Sequence, residues 1–90
     1  MQKFRWNEDK NLKLKLDRDI TFEEIVFAIK KGYLLDDINH PKRANQRLLI
    51  VNINDYAYIV PYAQETNNTI FLKTIIPNRK ATKKYLKSKK

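Results

Sequence analysis

The sequence predicts an α+β domain with two N-terminal helices, a mostly antiparallel sheet of about four strands, and a basic C-terminal helix. Three observations carry this expectation. A capped amphipathic segment near residue 21 has the 3.6-residue period of a helix. After Gly32, the only glycine, the period shortens to two. Beyond Pro77-Asn78 the chain becomes lysine-rich and again helix-compatible.

Phe4 and Trp6 suit a short edge strand. Asn7 followed by Glu8 and Asp9 reads as a helix start, with acids placed against the positive end of the helix dipole. Leu12, Leu14 and Leu16 alternate as in a strand, whereas Leu12 and Leu16 alone have helical spacing; the cap and the charged composition favour helix. Thr21-Phe22-Glu23-Glu24 is a capping box, and Ile20 and Ile25 stand at the positions of a hydrophobic staple. Phe22, Ile25, Val26 and Ile29 form one buried face, and Gly32 is placed to end the helix with a left-handed residue.

A first strand is expected over Tyr33 to Ile38, followed by the polar loop His40 to Asn45. Arg47 to Ile53 and Tyr56 to Tyr62 read as a hairpin turning at Asn54-Asp55, with Tyr56, Tyr58, Val60 and Tyr62 on one helix-covered face. Pro61 lacks a ladder donor, so an edge or strand-end position is expected. Thr66 to Thr69 is a turn, and Ile70 to Ile76 a strand that Pro77 stops. The closing helix takes Asn78 as N-cap and runs to about Lys87, leaving residues 87–90 as a frayed tail. Ninety residues with 42% apolar content support one domain over 1–90.

The net charge is +9, and its placement is uneven. Residues 1–40 carry eight basic residues against eight acids, and residues 41–72 carry three against two. Residues 73–90 contain Lys73, Arg79, Lys80, Lys83, Lys84, Lys87, Lys89 and Lys90 and no acid. Such a field attracts polyanions, because each neutralised phosphate releases counterions.

Composition closes several routes. Without cysteine and with one histidine, no usual zinc constellation or thiol nucleophile is available. A single glycine excludes a glycine-rich phosphate loop, and no cofactor is expected. No apolar run exceeds five residues, and runs such as Leu48 to Val51 are too short for a signal peptide or a membrane span, so a cytoplasmic protein with no membrane contact is expected. Asp36-Asp37 would point to opposite faces of a strand, which makes them a structural or solvated pair.

The remaining basic and phenolic groups suit metal-independent RNA cleavage. There the 2′-hydroxyl attacks the adjacent phosphate, phosphoryl charge must be stabilised, and the departing 5′ oxygen must be protonated. Arg79, at the first turn of the closing helix, can meet a phosphate with its guanidinium beside free backbone N–H groups. Lys73 interrupts an apolar strand on the face of Phe71 and Ile75, where it needs a partner or an opening to solvent. His40 can serve as acid or base near neutral pH. Lys42, Arg43, Lys80, Lys83 and Lys84 are candidate phosphate contacts, and Arg47 could also bind backbone phosphate.

Phe4-Arg5-Trp6-Asn7 with Lys10-Asn11, then Ile20-Thr21-Phe22-Glu23-Glu24, and finally Ile75 to Lys84 occur in the order and spacing of one known pattern. In these motifs the chain resembles the BrnT toxin family, within the broader RelE-like group. The resemblance spans nearly the whole chain. It departs from the family at Pro77-Asn78, where small residues are usual, and at Gln46-Arg47, where glycine-arginine is common.

The resemblance implies an endoribonuclease toxin that acts on RNA, including ribosome-associated mRNA, and so inhibits translation. It implies a cognate antitoxin that neutralises the toxin, with operator DNA contacted only through that antitoxin. Arg79 matches the arginine of the closing motif, and Tyr85 is similar in placement to the catalytic tyrosine of RelE-like enzymes. Arg47 and Lys73 are weaker matches to their basic catalytic residues.

Overall fold

The computed structural model describes residues 2–86. Strand β1 (Lys3–Arg5) leads into α1 (Glu8–Arg18) and α2 (Phe22–Lys30). Five further strands follow: β2 (Leu34–Asn39), β3 (Arg47–Ile53), β4 (Tyr56–Thr66), β5 (Thr69–Leu72) and β6 (Ile76–Pro77). Helix α3 (Arg79–Tyr85) completes the described chain. All six strands share one sheet in the order β1-β5-β4-β3-β2, with β6 also pairing β4. The α+β class therefore stands, with more strands than the four expected. Among the described residues β1 and β5 pair in parallel and the other strand pairs are antiparallel.

Both predicted starts of the N-terminal helices form. Asn7 caps α1 by accepting from Lys10 N at 2.9 Å, and Asp19 closes it in a left-handed conformation at φ 55. The reciprocal capping box of Thr21 and Glu24 starts α2. Gly32 follows at φ 93, and no atom lies within 4 Å of where its Cβ would be, so its requirement is conformational rather than steric.

In α1 the buried pair is Asn11 and Leu14, while Leu12 and Leu16 face solvent. The helix that the cap and charged composition favour forms, but the Leu12–Leu16 spacing marks its solvent face. Asn11 explains the choice: its Oδ1 accepts from Phe22 N at 2.8 Å, and its Nδ2 donates to Glu23 Oε1 at 2.8 Å. One buried amide thus satisfies an orphan N–H of the first turn of α2 and locks the two helices together.

The sheet is covered on both sides. On one face Leu49, Val51, Val60, Tyr62, Ile70 and Leu72 pack against Leu14, Phe22, Ile25 and Ala28 of α1 and α2. Tyr58 and Tyr62 join that core as expected, and Tyr56 meets Tyr58 edge-on. On the other face Leu48, Ile50 and Ala57 pack against Ala81, with Leu35, Ile59, Tyr85 and Leu86 around them.

Several expectations along the strands are corrected. Pro61 occupies neither an edge nor a strand end; it is central in β4, which lies between β3 and β5. Its carbonyl accepts from Lys73 N at 2.8 Å, so its missing N–H also faces the β5 side, where no ladder donor is needed. The predicted strand Ile70 to Ile76 breaks at that point into β5 and β6, and Pro77 pairs with Tyr58 instead of stopping the strand. Across the break Ile75 turns into the helix-covered core, with its carbonyl bonded to Arg18 Nη1, while Lys73 stays exposed beside Phe71. The phase expected to hold Phe71, Lys73 and Ile75 on one face is therefore lost. Trp6 follows β1 and stacks on Phe22 at 5.5 Å instead of lying in the strand. The closing helix ends at Tyr85; Lys87 and the expected frayed tail 87–90 lie outside the described residues.

Candidate functional site

Helix α3 begins at the N-cap Asn78, whose Oδ1 accepts from Ala81 N at 2.7 Å and whose N–H bonds to Ala57 O at 3.1 Å. Thr82, almost fully buried, receives Ala57 N on its Oγ1 at 2.9 Å and donates to Asn78 O. These bonds fix the first turn of α3 against β4. The short helix then crosses β3, and Arg79, Lys80, Lys83 and Lys84 are exposed along it.

At the far end of α3 the Tyr85 hydroxyl donates to Asp36 Oδ2 at 2.6 Å. A bulge between Leu34 and Asp36 makes this contact possible, because it turns Asp36 to the face of Ile50 and α3. Asp37 then falls opposite Leu49, on the α1–α2 face, where it accepts from the Tyr62 hydroxyl at 3.0 Å. The adjacent acids do diverge to opposite faces, and each is bonded to a tyrosine.

The Tyr85 hydrogen bond, and the desolvation and carboxylate charge that come with it, raise the Tyr85 pKa above its ordinary 10.0. The same bond lowers Asp36 below 3.8, with further help from Asp37 N–H and Lys84. The contribution of the pair to stability is therefore whole between those two ordinary values. It is lost as pH falls through the lowered Asp36 pKa, and also as pH rises through the raised Tyr85 pKa. Replacing Tyr85 with phenylalanine is expected to lower the thermal midpoint by a few degrees at about pH 7. That difference should shrink at both pH extremes, as thermal melts across the pH range would register. A difference that did not vary with pH would contradict the linkage.

Arg47 is elsewhere. It pairs in register with Tyr62 and so stands on the α1–α2 face, with Nε bonded to Asp37 Oδ1 at 3.0 Å and Nη1 to Asn39 Oδ1 at 2.6 Å. The Asp37 carboxylate raises the Arg47 pKa further above its ordinary range, and burial, then Asp37, raises that of Tyr62. His40 is similarly engaged: its Nδ1 accepts from Lys42 N at 3.0 Å and Arg43 N at 3.2 Å, holding the loop that presents Lys42 and Arg43 to solvent. Only Nε2 of that ring is left for other chemistry. Arg79 and Tyr85 thus stand at the two ends of α3, Lys73 lies beside Phe71 after β5, and Arg47 and His40 belong to separate hydrogen-bonded clusters.

The uncovered part of the α3 face lies toward β1. There Lys73 Nζ sits 5.2 Å from the Phe71 ring centroid and Arg5 Cζ 5.9 Å from it. Sequence reasoning missed Arg5, Phe71 and the role of Asp36. The alternation of Phe71 between buried Ile70 and Leu72 was the available signal for an aromatic on the second face. By contrast, a groove of about 950 Å³ on the α2 side is lined by Asp19, Glu23, Glu24 and Asp55 with Phe27 and Tyr33, an acidic setting that repels phosphate.

Two helices on one face of this mixed sheet and a short basic helix on the other give a fold that a solved structure shares. The chain is similar to the crystal structure of the Brucella abortus ribonuclease toxin BrnT, with a TM-score of 0.66 at 15% identity, covering 87% of this chain and 97% of that one. No family model and no curated protein matches the sequence. No helix among the described residues is long and apolar enough to cross a membrane.

Proposed function

We propose that this chain is a cytoplasmic, metal-independent endoribonuclease toxin of a toxin–antitoxin module, which cleaves RNA, inhibits translation and is neutralised by a cognate antitoxin. The observation that carries the reading is its likeness to a ribonuclease toxin over 87% of the chain, together with the exposed Arg79, Lys80, Lys83 and Lys84 along α3.

In this reading the RNA backbone runs across the α3 face, with Lys80, Lys83 and Lys84 on the helix and Lys42 and Arg43 at the sheet end as phosphate contacts. Arg79 and Lys73 stabilise the charge that grows on the phosphoryl oxygens as the 2′-hydroxyl attacks, gives its proton to water, and closes a 2′,3′-cyclic phosphate while the bond to the 5′ oxygen breaks. Tyr85, kept protonated by Asp36, supplies the proton for the departing 5′ oxygen once it exchanges Asp36 for that oxygen. Arg47, held by Asp37 on the opposite face, and His40, bound into its own loop, act through structure rather than on the phosphate. The antitoxin covers the cationic face with acidic and apolar residues, and contact with operator DNA is made by the antitoxin.

The test is expression of the chain alone in a host, together with incubation of the purified protein with RNA, with and without ribosomes, in the presence of chelator. Growth arrest and new RNA ends are expected. Normal growth with abundant folded protein, and intact RNA in both assays, would overturn the proposal.

A further inference from the structure

A second grouping of cations, around an aromatic ring, lies on the sheet at the β1–β5 edge. In register, Arg5 of β1 pairs with Phe71 of β5, and Phe71 pairs with Ala63 of β4, so the three side chains stand in one row on one face of the sheet. Phe71 is half-buried and belongs to neither hydrophobic core; its chain neighbours Ile70 and Leu72 fill the core on the opposite face. Ala63, its partner in β4, adds only a methyl group to that row. Arg5 is tethered by Glu65 at 2.8 Å, and Lys73 is positioned by its backbone bond to Pro61 O at the strand break. Among the described residues the Lys73 ammonium makes no ion pair, and its contact is the ring itself.

We propose that Phe71 is a stacking platform for one unpaired nucleobase of single-stranded RNA, with Lys73 and Arg5 meeting the phosphates on either side of that nucleotide. This rests on the RNA reading above and adds a requirement for unpaired RNA. The ring carries the Lys73 and Arg5 cations over it at 5.2 and 5.9 Å, and a nucleotide fits it on chemical grounds: a base of comparable size takes a cation's place on the π face, while the displaced long side chains turn to the flanking phosphates. A paired base in an A-form helix presents no such face, because both sides are stacked within the duplex.

The experiment uses the full chain and a fluorescein-labelled, fully 2′-O-methylated hexauridylate, which cannot be cleaved because no free 2′-hydroxyl remains. Fluorescence anisotropy is compared with the same oligomer lacking its central bases. Wild type should bind the abasic oligomer about five- to a hundredfold more weakly, the range expected for one lost base–aromatic stack. Phe71→Leu, which keeps an apolar strand residue but has no π face, should lose the same factor on the intact oligomer and little on the abasic one. Phe71→Trp should bind at least as well as wild type, and the salt dependence of all three should be alike because phosphate contacts are unchanged. Equal binding of the intact oligomer by wild type and a folded Phe71→Leu would overturn the platform and leave the RNA reading standing. Absence of salt-sensitive binding by wild type would overturn both.

Discussion

Arg79→Ala is expected to lower RNA cleavage by about 10²- to 10³-fold, the effect of removing one preorganised donor from a developing oxyanion. The fold should be indifferent to the change. Arg79 is exposed, makes no ion pair among the described residues, and the first turn of α3 is held by Asn78 and Thr82 instead. Surface substitutions of this kind stay within about 0.5 kcal/mol. Single-turnover cleavage of a labelled RNA, measured beside a thermal melt, separates chemistry from stability. Lys at the same position should recover part of the activity, because it restores the charge without the planar fork. Wild-type cleavage by Arg79→Ala would refute the assignment of Arg79, whatever the activity of the parent chain.

Phe22→Ala should cost about 3–5 kcal/mol, the usual range for deleting a buried aromatic ring. Phe22 is fully buried, stacks on Trp6 at 5.5 Å, and donates its N–H to Asn11 at 2.8 Å. One residue therefore joins the β1–α1 connection, α1 and α2. For a domain whose total stability is of the order of 5–15 kcal/mol, the loss removes a large share of the folding margin and lowers the urea midpoint accordingly. Trp6 is the only tryptophan and touches the deleted ring, so its fluorescence reports the urea transition directly. A wild-type midpoint in the variant would mean that Phe22 is not the keystone of the helical layer.

Much of the architecture was legible because its signals are local. Thr21 and Glu24 are three residues apart, and the capping box they form needs nothing from elsewhere in the chain. The same holds for Gly32 at φ 93 and for Asn54 and Asp55, whose positive φ values of 54 and 66 make the two-residue hairpin turn. The site was legible only in part. The basic residues at the C-terminal end could be named, but the faces they occupy could not, since a strand's facing depends on its partner's register. Arg47 illustrates this: the sequence offered it as a phosphate contact, and pairing with Tyr62 puts it across the sheet from Tyr85, bound to Asp37.

By itself, then, the sequence determined the class of fold, the two capped helices, the β3–β4 hairpin and the concentration of positive charge beyond residue 72, because each is written within a few consecutive residues. Tertiary structure alone decided that a bulge turns Asp36 toward Tyr85, that Pro61 sits where the neighbouring strand breaks, and that Lys73 comes to rest on Phe71 beside Arg5. Those arrangements arise from pairing between strands distant in sequence, where one residue of register shift exchanges the two faces of the sheet.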